Sequence, residues 1–202
     1  MCSSQIYIHF TGKIFAILLK EQFTHICHLA AQAGVRHSLA YPHTYIDSNV
    51  TGFLNILEGA RSYPVEHLVY ASSSSVYGLN ALYPSSESDN TDCPSSLYAV
   101  TKKTNELMAY SYENLYSIPT TGVRFFSVYG PWGRPDMALF LFTHNIFLNQ
   151  PIHVFNNGNM ERDFTYIDDI VQGVLSILFT PTTSLKNKKK DERVPHIYNI
   201  GY

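Results

Sequence analysis

Two short apolar runs, each passing directly into small residues, restrict the fold more than any other feature of this chain. His25-Ile26-Cys27-His28-Leu29 leads into Ala30-Ala31, and His67-Leu68-Val69-Tyr70-Ala71 leads into Ser72 to Ser75. Neither alternates apolar with polar, so each fits a strand buried on both faces. Thr121-Gly122-Val123-Arg124-Phe125-Phe126 is a weaker third, and His196-Ile197-Tyr198-Asn199-Ile200 reads as a final strand. Between them lie helical stretches. Thr44 to Tyr63 carries Val50, Phe53, Leu54 and Leu57, spaced to line one face. Ser95 to Tyr116 carries Leu97, Val100, Leu107 and Leu115, with Ser95 or Ser96 as a natural N-cap. Phe15 to Gln22 fits a helix feeding the first strand. Strands alternating with helices imply a parallel sheet covered on both sides, with ligands at the carboxyl ends of its strands.

After about Gly130 the character changes. Pro131, Gly133, Pro135 and Pro151 punctuate shorter elements. Phe164 to Phe179 reads as a turn leading into a helix, with Asp168-Asp169 a favourable charge pair at its N-terminus rather than a metal or acid–base pair. Lys186 to Arg193 reads as a solvated connection rather than a localisation signal.

Composition narrows the function. The 202 residues are 45% hydrophobic and 15% charged, enough to bury a real core in one domain, or one domain and part of another. A net charge of -2 gives no basic excess to draw nucleic acid. The apolar run Ile14 to Leu19 is too short to span a bilayer, and residues 1–12 hold no Lys or Arg for a secretory signal. Cys2, Cys27 and Cys93 lack metal-ligand spacing and read as reduced thiols. The nine histidines show no ligand spacing either. A cytoplasmic protein with no membrane partner is the expectation.

The chemistry centres on Tyr98-Ala99-Val100-Thr101-Lys102. On a helix, a phenol and an ammonium at i and i+4 share a face, about 5–6 Å apart at Cβ. A free tyrosine titrates near pH 10, and a neighbouring cation favours its phenolate. Such a tyrosine can take a proton from a hydroxyl while hydride leaves the same carbon. The spacing alone is cheap: with 15 tyrosines in the chain, chance supplies about 0.6 such pairs. Context makes it informative. The pair follows a buried strand ending in Ser72-Ser73-Ser74-Ser75-Val76-Tyr77-Gly78, where a serine hydroxyl can hydrogen-bond the reacting oxygen.

Several stretches together resemble the extended short-chain dehydrogenase/reductase superfamily, the NAD-dependent epimerases and dehydratases. They are His28 to Arg36, Ala71 to Gly78, Tyr98 to Lys102, Arg124 to Pro131 and Arg162 to Asp169. More narrowly, Pro131-Trp132-Gly133-Arg134-Pro135-Asp136-Met137-Ala138 resembles the UDP-glucuronate 4-epimerases. The implied fold class is α/β, a Rossmann-like parallel sheet with helices on both faces. Residues 21–130 would be a partial NAD-binding domain and 131–202 part of a small substrate-binding domain, with 1–20 unassigned. The first 24 residues hold one glycine, Gly12, so the glycine-rich turn of a first βαβ unit is not found there, and the resemblance implies shortening at both ends.

The resemblance implies roles by position. Ser73 would be the catalytic hydroxyl, Tyr98 the base and Lys102 its partner. Leu29, Ala30, Ala31, Asn49, Ser72 and Phe125 would lie along NAD, together with Tyr98 and Lys102. Ser74, Ser75, Ser127, Arg134 and Arg162 would face a UDP-sugar, the arginines suiting phosphate or carboxylate. Plainer roles stand beside these: Arg162 paired with Asp163 or Asp168, and Arg134 anchoring its loop by a salt bridge. The implied reaction is 4-epimerisation, from UDP-glucuronate to UDP-galacturonate. The other readings are a UDP-galactose or UDP-N-acetylhexosamine 4-epimerase, and a non-catalytic fragment unable to hold NAD. A 4,6-dehydratase needs an acid–base pair just after the catalytic hydroxyl, where this chain has Ser74 and Ser75. A homodimer through the helices starting at Thr44 and Ser95 is implied by the resemblance alone.

Overall fold

The computed structural model describes residues 16–18, 20–79, 84–180 and 195–201. Residues 1–15 and the Lys186 to Arg193 stretch lie outside the described residues. Of the helix expected over Phe15 to Gln22, residues 16–18, 20 and 21 are helical.

The expected parallel sheet is present. Strands β1 (His25–His28), β2 (His67–Ser73), β3 (Thr120–Phe125) and β6 (Ile197–Ile200) pair in the order β1-β2-β3-β6, all parallel. The register sets Tyr70 beside Gly122 and Ser73 beside Phe125. A Cβ at Gly122 would lie 2.7–2.8 Å from the Tyr70 ring and 2.7 Å from Ile197, so only glycine lets the buried Tyr70 ring lie against β3.

Both faces of the sheet are covered, as a period of two requires of a fully buried strand. On one face Leu68 and Tyr70 of β2 pack with Phe53, Leu57 and Ala60 from helix α3 (Gly52–Ser62), and with Ala109 from helix α4 (Leu97–Tyr116). On the other face Val69 and Val123 pack against Leu178 of helix α6 (Ile167–Leu178). Among the described residues no helix is long and apolar enough to cross a membrane.

Details depart from expectation. The helix expected over Thr44 to Tyr63 starts earlier, at α2 (Pro42–Tyr45), and passes through a π-helical stretch, Ile46–Thr51, before α3. Pro42 sits at its first turn, where the missing N–H costs nothing. Phe53 and Leu57 are buried as expected, but Leu54 stays 38% exposed. Helix α4 is capped by Ser96, whose hydroxyl accepts from Ala99 N–H, and ends at Ser117 in the left-handed region. Its buried face is Ala99, Thr101, Lys102, Asn105, Glu106, Ala109 and Glu113, whereas Val100, Leu107 and Leu115 are exposed. The polar side of this helix therefore faces the sheet, held there by ion pairing and hydrogen bonds.

Phe164 to Tyr166 is a short strand, β5, rather than a turn. It pairs in parallel with β4 (Ser127–Tyr129) as a separate two-stranded sheet. Three-residue strands are too short to show a period in sequence. Asp168 and Asp169 do fall in the first turn of α6. Two further helices are α1 (Val35–Ala40) and α5 (Ala138–Phe147).

Candidate active site

Parallel pairing brings the carboxyl ends of β1, β2, β3 and β6 to one edge. Ser73 ends β2, and the chain turns there into a 3-10 helix, Ser74–Tyr77. Ser73 caps that helix, its Oγ accepting from Ser75 N–H at 3.2 Å and from Ser75 Oγ at 2.8 Å. With both acceptor positions used, its own proton is what Ser73 has to offer. Tyr98 is the second residue of α4, with the Ser73 hydroxyl close enough to act on its own hydroxyl. Burial pushes the Tyr98 hydroxyl above its ordinary range, while the Ser73 hydroxyl and the charge of Arg134 pull it down.

Lys102, one turn further along α4, is 4% exposed. Its Nζ donates to Ala71 O at 2.8 Å, and burial lowers its pKa to about 8. The ammonium is therefore still the main form at neutral pH. Next to it His28, at the end of β1, is lowered to about 4 by burial and by Lys102. The sequence led us to expect Lys102 as the cation that lowers Tyr98. In the structure that cation is Arg134, and the Lys102 ammonium points at the strand-end carbonyl instead.

Arg134 sits on the loop after a turn closed by Gly133 N–H to Gly130 O. Its Nε donates to Asp136 Oδ1 at 2.9 Å and its Nη2 to Asp136 Oδ2. This contact holds Asp136 below the usual carboxylate range. The plainer role for Arg134, a loop salt bridge, is thus present, and the same guanidinium also faces Tyr98 and Tyr45.

The other expected site residues are placed as follows. Leu29, Ala30 and Ala31 are exposed at the carboxyl end of β1. Phe125 ends β3, paired with Ser73 and Ile200. Ser74 and Ser75 are half-buried in the 3-10 turn. Ser127 opens β4, its N–H donating to Asp163 O. Two residues are committed elsewhere. Ser72 Oγ donates to Glu106 Oε1 at 2.6 Å, beneath the site. Asn49 lies in the π-helical stretch, its side chain accepting from Gln32 N–H and donating to Gln32 O and Thr101 Oγ1. It ties the loop after β1 to α4. Arg162 is exposed and its Nη1 donates to Glu161 O.

Some contributors were missed from sequence. Glu106 and Arg124 form a buried bidentate ion pair, both bonds 2.9 Å, and Arg124 Nη1 also donates to Tyr77 Oη. A charged residue inside a buried strand, and a carboxylate one turn after Lys102, were signals for this pair. Tyr45 is fully buried, its ring edge-on to that of Tyr98 at 6.1 Å. Nothing in its sequence context marked it.

The chain belongs to the NAD dependent epimerase/dehydratase family, which it matches over residues 10–201. It is 54% identical over 192 residues to Protein CapI of Staphylococcus aureus, covering 92% of this chain and 58% of that protein. It is 52% identical over 195 residues to UDP-glucuronate 4-epimerase 5 of Arabidopsis thaliana, covering 94% and 44%. Among solved structures, UDP-glucuronic acid 4-epimerase from Bacillus cereus, in complex with UDP-glucuronic acid and NAD, superposes with a TM-score of 0.78 at 32% identity. That alignment covers 93% of this chain and 56% of the other. The chain spans about half the length of the curated relatives it matches.

Proposed function

We propose that the protein inverts C4 of a UDP-sugar with NAD as cofactor, converting UDP-glucuronate to UDP-galacturonate. The observation that carries this reading is the meeting of Ser73, Tyr98 and Arg134 at one strand end, in a chain whose relatives include UDP-glucuronate 4-epimerases. The described residues fit the nicotinamide half of the cofactor. Small, exposed Ala30 and Ala31 leave room at the end of β1, and Lys102 presents a buried ammonium to ribose hydroxyls. NAD, when bound, supplies reversible hydride acceptance at C4.

The chain's own groups handle the proton. Tyr98 takes the O4 proton as C4 is oxidised, and Ser73 donates a hydrogen bond to the oxygens that share it. Once the 4-keto sugar has presented its other face for reduction, Tyr98 returns the proton to O4. Nothing is consumed. A 4-keto uronate is a β-keto acid and loses carbon dioxide readily, so its carboxylate must be held. Asp136 occupies the Nε–Nη2 edge of Arg134 and leaves the Nη1–Nη2 edge for a second planar anion. Ser73, Tyr98 and Lys102 standing at one strand end favour a catalytic chain over a silent one.

The test is NMR of the anomeric region after incubating protein, NAD and UDP-glucuronate. UDP-galacturonate should appear, and Tyr98→Phe should lower its rate by about 100-fold or more. Faster turnover of UDP-glucose or UDP-N-acetylglucosamine than of UDP-glucuronate would contradict the substrate. We place the protein in the cytosol, a setting that suits the free thiols of Cys27 and Cys93. We further expect a homodimer through α3 and α4, on which Leu54, Val100, Leu107 and Leu115 are exposed. A sedimentation mass of one chain would rule that out.

A further inference from the structure

We infer that Tyr45 and Gly34 form the seat that aims Arg134 at the sugar, and so determine preference for a carboxylated substrate. This inference rests on Arg134 being the carboxylate fork proposed above.

Three observations meet here. Tyr45 is fully buried, and its hydroxyl lies 2.7 Å from Ala33 O and 2.6 Å from Gly34 O. A single phenolic proton is shared between the two carbonyls, which pins the turn between β1 and α1. Gly34 itself has φ of 105°, a left-handed conformation that side chains resist. A Cβ there would lie 3.2 Å from Arg134 Nη2 and 3.6 Å from Tyr45 Oη. The guanidinium thus rests so close to Gly34 that an added Cβ would push it aside by a few tenths of an ångström, in a turn whose φ already favours glycine. On the opposite side, the ring of Tyr45 stands edge-on to Tyr98. One buried residue therefore touches the ring of the proton-transfer tyrosine and also fixes the turn against which Arg134 lies.

The consequence is geometric. An arginine on a loop is a long, flexible side chain, and its fork discriminates only when held in place. Asp136 fixes one edge of the guanidinium from within its own loop. Tyr45 and Gly34 fix its position from the sheet side. Tyr45 and Gly34 act through Arg134, so they are positioning residues.

The test uses UDP-glucuronate and UDP-glucose, which differ only in carboxylate against hydroxymethyl at C6. Calorimetric affinities for both are measured on the protein and on Tyr45→Phe, Gly34→Ala and Arg134→Met, with circular dichroism confirming the fold. Tyr45→Phe keeps the ring and removes the hydroxyl. It should lower the glucuronate-over-glucose affinity ratio about tenfold, the size of one charge-assisted hydrogen bond. Gly34→Ala should lower the ratio in the same direction, by forcing Arg134 off its seat. Arg134→Met sets the floor. If Arg134→Met collapses the ratio while Tyr45→Phe and Gly34→Ala leave it at the wild-type value, or weaken both sugars equally, the seat is wrong and the fork stands. If Arg134→Met leaves the ratio unchanged, the fork is wrong and the seat falls with it.

Discussion

Lys102 and His28 meet at the end of β1, and their repulsion links a measurable titration to helix α4. Burial is the larger cause of the low His28 value and Lys102 the smaller. His28 should titrate near pH 4 in the folded protein, followed by its ring protons in NMR. Lys102→Met should raise that midpoint part of the way toward 6.5, because burial remains; an unmoved midpoint would place the ammonium elsewhere. The sign for stability follows from the same shift. The unfolded chain takes up the His28 proton near pH 6.5 and the folded chain only near 4, so this group costs stability as pH falls across that window. At this scale the sequence was partly legible. Tyr98, Lys102 and Ser73 stood out by residue type and spacing. The partnership of Tyr98 with Arg134 did not, because the two are far apart in the chain and only the fold brings the guanidinium near the phenol.

Helix α4 shows what periodicity reveals at the scale of an element and what it hides. Its length and Ser96 cap were readable, since both depend on local residue type. Which side faces the sheet was not, because its apolar stripe of Val100, Leu107 and Leu115 is the exposed one. The buried side is fixed by Glu106, which holds Arg124 through two hydrogen bonds and accepts from Ser72 beside Ser73. Removing one partner of a buried ion pair leaves the other charge uncompensated. Glu106→Gln should therefore lose about 3–5 kcal/mol of stability in urea unfolding. A loss below about 1 kcal/mol would mean that water reaches the pair. The strands β2 and β3 were legible because burial on both faces leaves near-continuous apolar runs, and β1 and β6 showed the same kind of run although they are only partly buried. The β4–β5 pair was not, being held by long-range pairing with no pattern of its own.

For the whole molecule, parallel strand order turns distant stretches of chain into one site. The ends of β1 and β2, the start of α4 and the loop at Arg134 are separated in sequence and meet at a single edge of the sheet. That edge was predictable from the alternation of strands and helices, since right-handed crossovers bring successive strand ends to the same side. The precise company of Tyr98 depended on tertiary contacts that no local pattern encodes. The central claim is that C4 is oxidised and reduced at this edge, with Tyr98 moving the proton. UDP-glucuronate carrying deuterium at C4 tests it most directly, by mass spectrometry and NMR of the product formed by the protein with NAD. The expected product is UDP-galacturonate that retains deuterium at C4, formed by the protein and at least about 100-fold more slowly by Tyr98→Phe. Product with C4 deuterium exchanged for solvent hydrogen, or undiminished turnover by Tyr98→Phe, would contradict it.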